Sequence, residues 1–436
     1  MSYLADLVSR TRDILQLRFS DLFASLPPRS LTAISPASAA RRLLKVLGYA
    51  GLRLVGNVFQ PIRNADNLGG AVWLYVVSQN NYEALHFVQE GLPGSVVVAG
   101  QSKQIGRYNK QVNRLSLRRK LLYYWQFPFV IAGLLRREGH RAWRFFDLIF
   151  NAIGYYEVYC RALRQYRPRA IIFANDHNDD ARALLLAARR CGVPTAYVQH
   201  ASVSTHFPPL GFDLSLLEGQ DALDKYQQCG PVAGRVELVG MPKADTFLKQ
   251  RNLNPTVQHL GIAANILDDS AALAELARHL HQEFPALTVT FRAHPGDPRD
   301  FSFLLQRHPG LQFSNARAQN VFEFLLQQDA LIAADTSTHL EATLLNVASI
   351  YYRFNTHTGT DDYYGYVAHG LIQRADSLQE VTASLRRYQV QKPTDLFRRA
   401  AYYNATLGTP DEGHSQERAL RMLREWLPAR AHSHSQ

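Results

Sequence analysis

Several short segments gather residues able to handle a proton or hold an anion, and each follows directly on an apolar run. Arg292-Ala293-His294-Pro295-Gly296-Asp297 follows Leu287–Phe291. Pro295 fixes the chain's exit from that run, so the His294 imidazole stays aimed outward, and its N–H suits a phosphate oxygen without a metal. Ala334-Asp335-Thr336-Ser337-Thr338-His339-Leu340-Glu341 follows Ala330–Ala333. Hydroxyls and free backbone amides at the start of a helix make an anion site. The competing reading is a hydroxyl N-cap, with Glu341 closing a capping box from Thr338.

Two further segments suit proton transfer. Asn175-Asp176-His177-Asn178-Asp179-Asp180 follows Ala170–Ala174. One carboxylate would serve as a helix cap, so the surplus makes Asp176 and Asp179 candidate bases. Gln199-His200 follows Pro194–Val198, and an imidazole there can take the proton of an attacking hydroxyl near neutral pH. A fifth segment, Ala263-Ala264-Asn265-Ile266, follows the run that begins at His259 and brings Asn265 to a loop able to approach a nucleotide closely. There is no GxxxxGK[ST] loop, no GxGxxG after a strand, no HExxH and no GxSxG, so kinase-like, dehydrogenase and hydrolase readings fall away.

Each of these segments sits where a strand should end, because compact apolar runs alternate with helical patterns along the chain. Strands are expected at 71–77, 95–99, 170–174, 194–198, 213–217 and 236–239. A second series is expected at 259–263, 287–291, 330–333 and 349–352, after a linker near 241–256. The rhythm predicts an α/β protein with two doubly wound parallel sheets, whose ligands bind beyond the carboxyl ends of the strands. The expected units are a basic helical extension at 1–68, a first Rossmann-like acceptor domain at 69–245, and a second, nucleotide-binding one at 256–375. Helices at 376–428 and a disordered tail at 429–436 follow.

Arg292-Ala293-His294-Pro295, paired with Asp335-Thr336-Ser337-Thr338 in the second domain, resembles the donor half of certain bacterial GT-B glycosyltransferases. These are the CMP-sialic acid and CMP-Kdo transferases and the CDP-glycerol glycerophosphotransferases of surface polysaccharide synthesis. The resemblance implies a GT-B-like fold, two Rossmann-type domains facing across a cleft. It also implies a cytidine-nucleotide donor as substrate, no bound cofactor, and phosphate contacts from His294 and from Thr336, Ser337 and Thr338. Arg292, Pro295, Asp335 and Glu341 in and beside these segments, and Asn265 on its loop, are expected at the donor site with them. Val198-Gln199-His200 looks like the Gln-His-Gly stretch of several such transferases, with Ala201 in place of the glycine. Asn175–Asp180 occupies the place of the sialyltransferases' acidic motif, without its glycine. Asp176, Asp179 and His200 therefore stand as rival bases.

Composition narrows the partners. The chain has 436 residues, 46% of them hydrophobic, and a net charge of +11, which suits an anionic partner. The basic residues interleave with aliphatic runs and form no nucleic-acid reading module, so nucleic acid is not expected. In 41–59 and 118–137 arginines bracket aromatic and aliphatic residues, the pattern of a segment lying on an anionic membrane surface. The competing reading is core helices with a basic edge. No run approaches the roughly 20 apolar residues that span a bilayer, the start of the chain lacks a signal-peptide apolar core, and Cys160, Cys191 and Cys229 lack metal spacing. The expected location is the cytoplasm, peripheral to the inner face of the plasma membrane, with a glycan or lipid-linked acceptor.

Overall fold

A computed structural model describes residues 3–24, 26, 28–55, 59, 65–175, 177–354 and 361–427. Asp176 and the tail at 429–436 lie outside the described residues.

Two sheets carry the fold, and every strand pair in them is parallel. The first holds β1 (Val72–Tyr75), β2 (Ser95–Gly100), β3 (Asn113–Leu115), β4 (Ala170–Phe173), β5 (Thr195–Val198), β6 (Leu214–Leu217) and β7 (Arg235–Leu238), in the order β3-β2-β1-β4-β5-β6-β7. The second holds β8 (His259–Ala264), β9 (Thr288–Ala293), β10 (Gln312–Phe313), β11 (Ala330–Ala333), β12 (Ala348–Tyr352) and β13 (Gln373–Ala375), in the order β10-β9-β8-β11-β12-β13. Central strands such as β1, β4 and β11 are buried along their whole length, because helices cover both faces of a parallel sheet. Their runs are therefore continuously apolar and readable. The sequence reading missed β3, β10 and β13. Asn113-Arg114-Leu115, Gln312-Phe313 and Gln373-Arg374-Ala375 are sheet-edge strands, paired on one side only, with no apolar run to announce them.

The N-terminal helices are part of the first core. Leu7, Val8 and Ile14 of helix Tyr3–Ile14 pack in one cluster with Trp73, Tyr75 and Phe173, against helices Phe127–Glu138 and Asp179–Cys191. Arg182 on the latter donates to Asp13 at 2.6 Å. Cys160 and Cys191, far apart in sequence, meet on neighbouring helices, with the Cys191 thiol 3.8 Å from the Cys160 carbonyl.

The C-terminal helices divide between the domains. Helix Leu378–Val390 covers the second sheet with Val381, Leu385 and Tyr388. Helix Ser415–Trp426 crosses back and buries Ala419 and Leu423 against Leu85 and Val88 of the first domain. Arg424 donates to the Gly91 carbonyl at 2.7 Å, across the same contact. Gly240, where the chain leaves the first sheet, has φ +84°. A Cβ there would also meet Thr406 and Ser415 at 2.4–2.5 Å.

Leu423 is fully buried against the first domain, so Leu423→Ala should cost about 2–5 kcal/mol through lost burial and the cavity left behind. Urea denaturation of the whole chain measures it. A loss under about 1 kcal/mol would mean that the returning helix is not integral to the first domain.

Candidate active site

In each sheet the chain winds outward from one central strand and then resumes on that strand's other side, which opens a crevice between two carboxyl ends. In the first sheet this point falls between β1 and β4, in the second between β8 and β11. An asparagine bridges each crevice. Asn81 accepts from the Val77 N–H at 3.2 Å and donates to the Ala174 carbonyl at 3.4 Å. Asn265 donates from Nδ2 to the Asp335 carbonyl at 2.9 Å, so the loops after β8 and β11 are joined at the place where the sequence expects a nucleotide.

Around Asn265 the second-domain loops are tied together from below. Asp268, buried, accepts the Asn265 N–H at 2.6 Å. Arg299 pairs with Asp297, donates to the Asn265 carbonyl at 2.8 Å, and also reaches the Asp268 carbonyl. Burial pushes the Asp268 carboxyl up to about 7, although the Asn265 amide and Arg299 oppose it. His339 uses both ring nitrogens, one on the Ala334 carbonyl at 2.8 Å and one on Ser349 at 2.6 Å, and burial lowers its pKa to about 4. It is thus a neutral brace beneath the turn. Above it the Thr336 and Thr338 hydroxyls are 3.0 Å apart, and the Thr338 N–H donates to Thr336 at 3.3 Å. Ser337 precedes helix Thr338–Leu344 and makes no side-chain cap.

His294 lies exposed just past β9, with Pro295 after it. The Gly296 N–H donates to its Nδ1 at 3.0 Å. Nδ1 is therefore the acceptor nitrogen, and the ring proton sits on Nε2. Partial desolvation by the surrounding loops lowers the pKa of His294 against the pull of Asp297, which favours the neutral ring as an N–H donor. Asn265, His294, Pro295, Asp335, Thr336, Ser337 and Thr338 thus lie on the carboxyl-end loops of three adjacent strands.

Two residues expected at the donor site are committed elsewhere. Arg292, buried, donates to Ser314 at 2.6 Å and to the Gln319 carbonyl at 2.8 Å. It braces the loop after β10. Glu341 forms no capping box with Thr338; it accepts Lys243 at 2.5 Å. A lysine from the interdomain linker offers a buried carboxylate more than a cap would.

The first-domain edge sorts its candidate bases in the same way. Asp179 faces Arg18 of the N-terminal helices at 3.4 Å. Asp180, buried, accepts the hydroxyls of Tyr75 and Tyr159, the latter at 2.9 Å, and Asn178 supplies the helix cap. Most of the surplus acid is thus engaged in the first-domain core and its N-terminal helices. His200 Nε2 lies 3.2 Å from Asn81 Nδ2. Since Asn81 Oδ1 already accepts from Val77, its Nδ2 donates, so the lone pair of His200 Nε2 is engaged by Asn81.

The edges of the two domains touch. The His206 ring stacks on Tyr363 with centroids 6.4 Å apart, and the Tyr363 N–H donates to Asp335 Oδ1 at 2.8 Å. Ser202 bonds the Tyr366 hydroxyl, and Lys225 donates to the Tyr364 carbonyl at 2.7 Å. Burial raises the Asp335 carboxyl despite the Tyr363 N–H. Sequence reasoning overlooked this tyrosine loop, whose signal is Tyr363-Tyr364-Gly365-Tyr366 in an otherwise polar stretch. It also overlooked Glu218, the lone acid ending the apolar run of β6. Glu218 is buried, takes only a long 3.4 Å contact from Gln199, and faces Lys243 and Glu341 where the domains meet.

Two doubly wound parallel-sheet domains, with their carboxyl-end loops in contact, define a fold of the GT-B class. No protein-family model matches the chain, and no curated protein sequence matches it. Among solved structures, a putative UDP-N-acetylglucosamine 2-epimerase from Listeria monocytogenes is similar, with TM-score 0.53 and 10% identity over 82% of this chain and 96% of its own. The wall teichoic acid polymerase TagF gives TM-score 0.49 and 10% identity over 89% and 98%. Phytolacca americana UGT2, complexed with UDP-2fluoro-glucose and pterostilbene, gives 0.48 and 10% over 82% and 99%. Identities this low speak to the shared fold alone.

Burial raises Glu218 from its ordinary 4.5 to about 7, against the pull of Lys243. The folded protein therefore keeps that proton longer than the unfolded chain does. Its contribution to stability is full below 4.5 and is lost as pH rises to about 7. Glu218→Gln removes this dependence, so the variant should gain about 3 kcal/mol on the native protein between pH 4.5 and pH 8. Denaturant titrations at the two pH values test it, and parallel pH profiles for the two proteins would refute the assignment.

Proposed function

We propose that this chain is a nucleotide-sugar-dependent glycosyltransferase. It moves a sugar from a cytidine-nucleotide donor, a CMP-linked ulosonic acid such as Kdo or sialic acid or a CDP-linked group, to a bacterial surface glycan or lipid-linked acceptor. The observation that carries the reading is the joining of Asn265 to Asp335 at the second sheet's crevice, with His294 on the neighbouring carboxyl-end loop and Asp335 tied through Tyr363 to His206 of the first-domain loop that also bears His200. The choice of cytidine rests on the resemblance of the His294-Pro295 and Asp335–Thr338 segments to donor halves of that group. A cytoplasmic location fits the free thiols of Cys160, Cys191 and Cys229.

The step needs one bond made and one broken. The acceptor hydroxyl oxygen attacks the anomeric carbon, the bond from that carbon to the phosphate oxygen breaks, and the hydroxyl proton passes to a base. In an inverting reaction the base is Asp176, Asp179 or His200; the acceptor hydroxyl must displace the Asn81 amide to reach His200 Nε2, and Arg18 to reach Asp179. Negative charge growing on the leaving phosphate is met by the His294 Nε2–H and the hydroxyls of Thr336, Ser337 and Thr338, donors already in place before the reaction. The domain contact through Tyr363 links donor turn to acceptor edge.

His294→Ala should lower the rate of transfer by about 10²–10³, the loss typical of one preorganised donor, while the fold is retained. A thermal-shift panel with CMP, CDP, UDP and GDP checks the donor, since a ligand that binds only the folded state raises the melting midpoint. Stabilisation by cytidine nucleotides that His294→Ala weakens is expected; stabilisation by UDP or GDP alone would replace cytidine with another base.

Protein donors neutralise the leaving group in this scheme, so transfer should persist in EDTA. Loss of activity on chelation, restored by Mg²⁺ or Mn²⁺, would transfer that role to a metal.

A further inference from the structure

Helix Ala39–Leu54 is turned the wrong way round for a helix meeting water. Two of its cations face inward: Arg42, 3% exposed, donates to the Pro36 and Ala37 carbonyls and lies over the Phe146 ring, and Arg53 is buried beside Tyr124. Its leucines face outward, with Leu43, Leu44, Leu47 and Leu52 all more than half exposed, followed by Val55 and by Phe59 at 78%. A helix on a water-facing surface has the opposite pattern.

The neighbouring segment repeats the arrangement. Val46, Tyr49 and Ala50 pack with Tyr124, Phe127 and Ile131, which sets helix Ala39–Leu54 alongside residues 118–137. There Lys120 is buried while Leu122, Trp125 and Phe129 are exposed, with Trp143 exposed just beyond. Among the described residues, most exposed large apolar side chains of the molecule lie in this N-terminal third. Contiguous apolar surface of this kind marks a contact surface.

Charge selects the occupant. Neither 39–59 nor 118–137 contains a single Asp or Glu, and Arg41, Arg118, Arg119, Arg136 and Arg137 are exposed around the apolar residues. An apolar face ringed by guanidinium groups, with no carboxylate to pair them, matches a surface of acyl chains beneath anionic headgroups. A second copy of the chain would bring like charges together. Among the described residues no helix is long and apolar enough to cross a membrane, so the contact is interfacial.

We propose that residues 39–55 and 118–137, with Trp143, form one monotopic docking face that inserts Leu43, Leu44, Leu47, Leu52, Trp125 and Trp143 into an anionic lipid leaflet. Arg118 and Arg119 pair with lipid phosphates, while Arg42, Arg53 and Lys120 hold the inserted elements onto the first domain. The proposal stands on these surfaces and not on the reaction catalysed.

The test is flotation of the whole chain with vesicles of phosphatidylglycerol and phosphatidylcholine, beside vesicles of phosphatidylcholine alone. Co-flotation with the anionic vesicles is expected, along with quenching of tryptophan fluorescence by brominated lipid that disappears in Trp125→Tyr/Trp143→Tyr. Leu44→Asp/Leu47→Asp and Arg118→Glu/Arg119→Glu should each lower partitioning on the order of tenfold or more, with unchanged circular dichroism. Failure to float, or binding without bromolipid quenching, overturns the proposal. So does a stable dimer that Leu44→Asp/Leu47→Asp dissociates, which would assign the face to a second copy.

Discussion

Parallel pairing of every strand governs this molecule. In a parallel sheet all carboxyl ends point the same way, so the polar residues that follow each apolar run collect along one edge and cannot scatter. Two sheets built this way present two such edges, and the return of helix Ser415–Trp426 to the first domain holds them in one body. Asn81 and Asn265 occupy equivalent places, each spanning the crevice where winding changes direction. The carboxyl-end loops carry little regular hydrogen bonding of their own, and these amides, with His339 and Arg299, supply what the backbone lacks.

Contact between the two edges is built from backbone as much as from side chains. Glu218 O accepts from Ala405, and Asp221 N donates to Tyr402, so residues 402–405, which pack with the second domain, are hydrogen-bonded to the first. Gly219 makes this approach feasible: a Cβ there would lie 2.4–2.8 Å from the backbone of Tyr403 and Asn404. Beside this close seat lie Glu218, Lys243 and Glu341, one carboxylate from each domain and a lysine from the linker. Glu218 has no close partner for its charge, and its raised pKa follows from burial.

The first domain is more than a Rossmann unit. Helices from before β1 and between β3 and β4 cover one of its faces with Leu7, Val130 and Ile149, and their far side carries the exposed leucines and tryptophans. One set of helices thus completes a core and presents an apolar surface. The cations that neighbour this surface in sequence divide by burial, Arg42, Arg53 and Lys120 turned in, Arg41, Arg118 and Arg119 left out.

Much of this architecture is legible from local order along the chain. Buried central strands read as apolar runs, their spacing implies helical crossovers, and the residues following each run are forced by covalent adjacency to the strand's end, which is how the segments at His294, Asp335, His200 and Asn265 could be singled out. Edge strands such as Gln312-Phe313 lack that signal because half of their pairing is missing. Partnership across long sequence separations was not legible at all. Nothing adjacent to Arg292 indicates Ser314 and Gln319, nothing near Glu341 indicates Lys243, and nothing near Asp179 indicates Arg18. Sequence alone determined which residues reach the carboxyl edges. Tertiary structure alone decided which of those groups are already engaged and which face the crevice, because hydrogen bonds and burial depend on register and packing between segments that are not neighbours in sequence, 22 residues apart for Arg292 and Ser314 and 98 for Lys243 and Glu341.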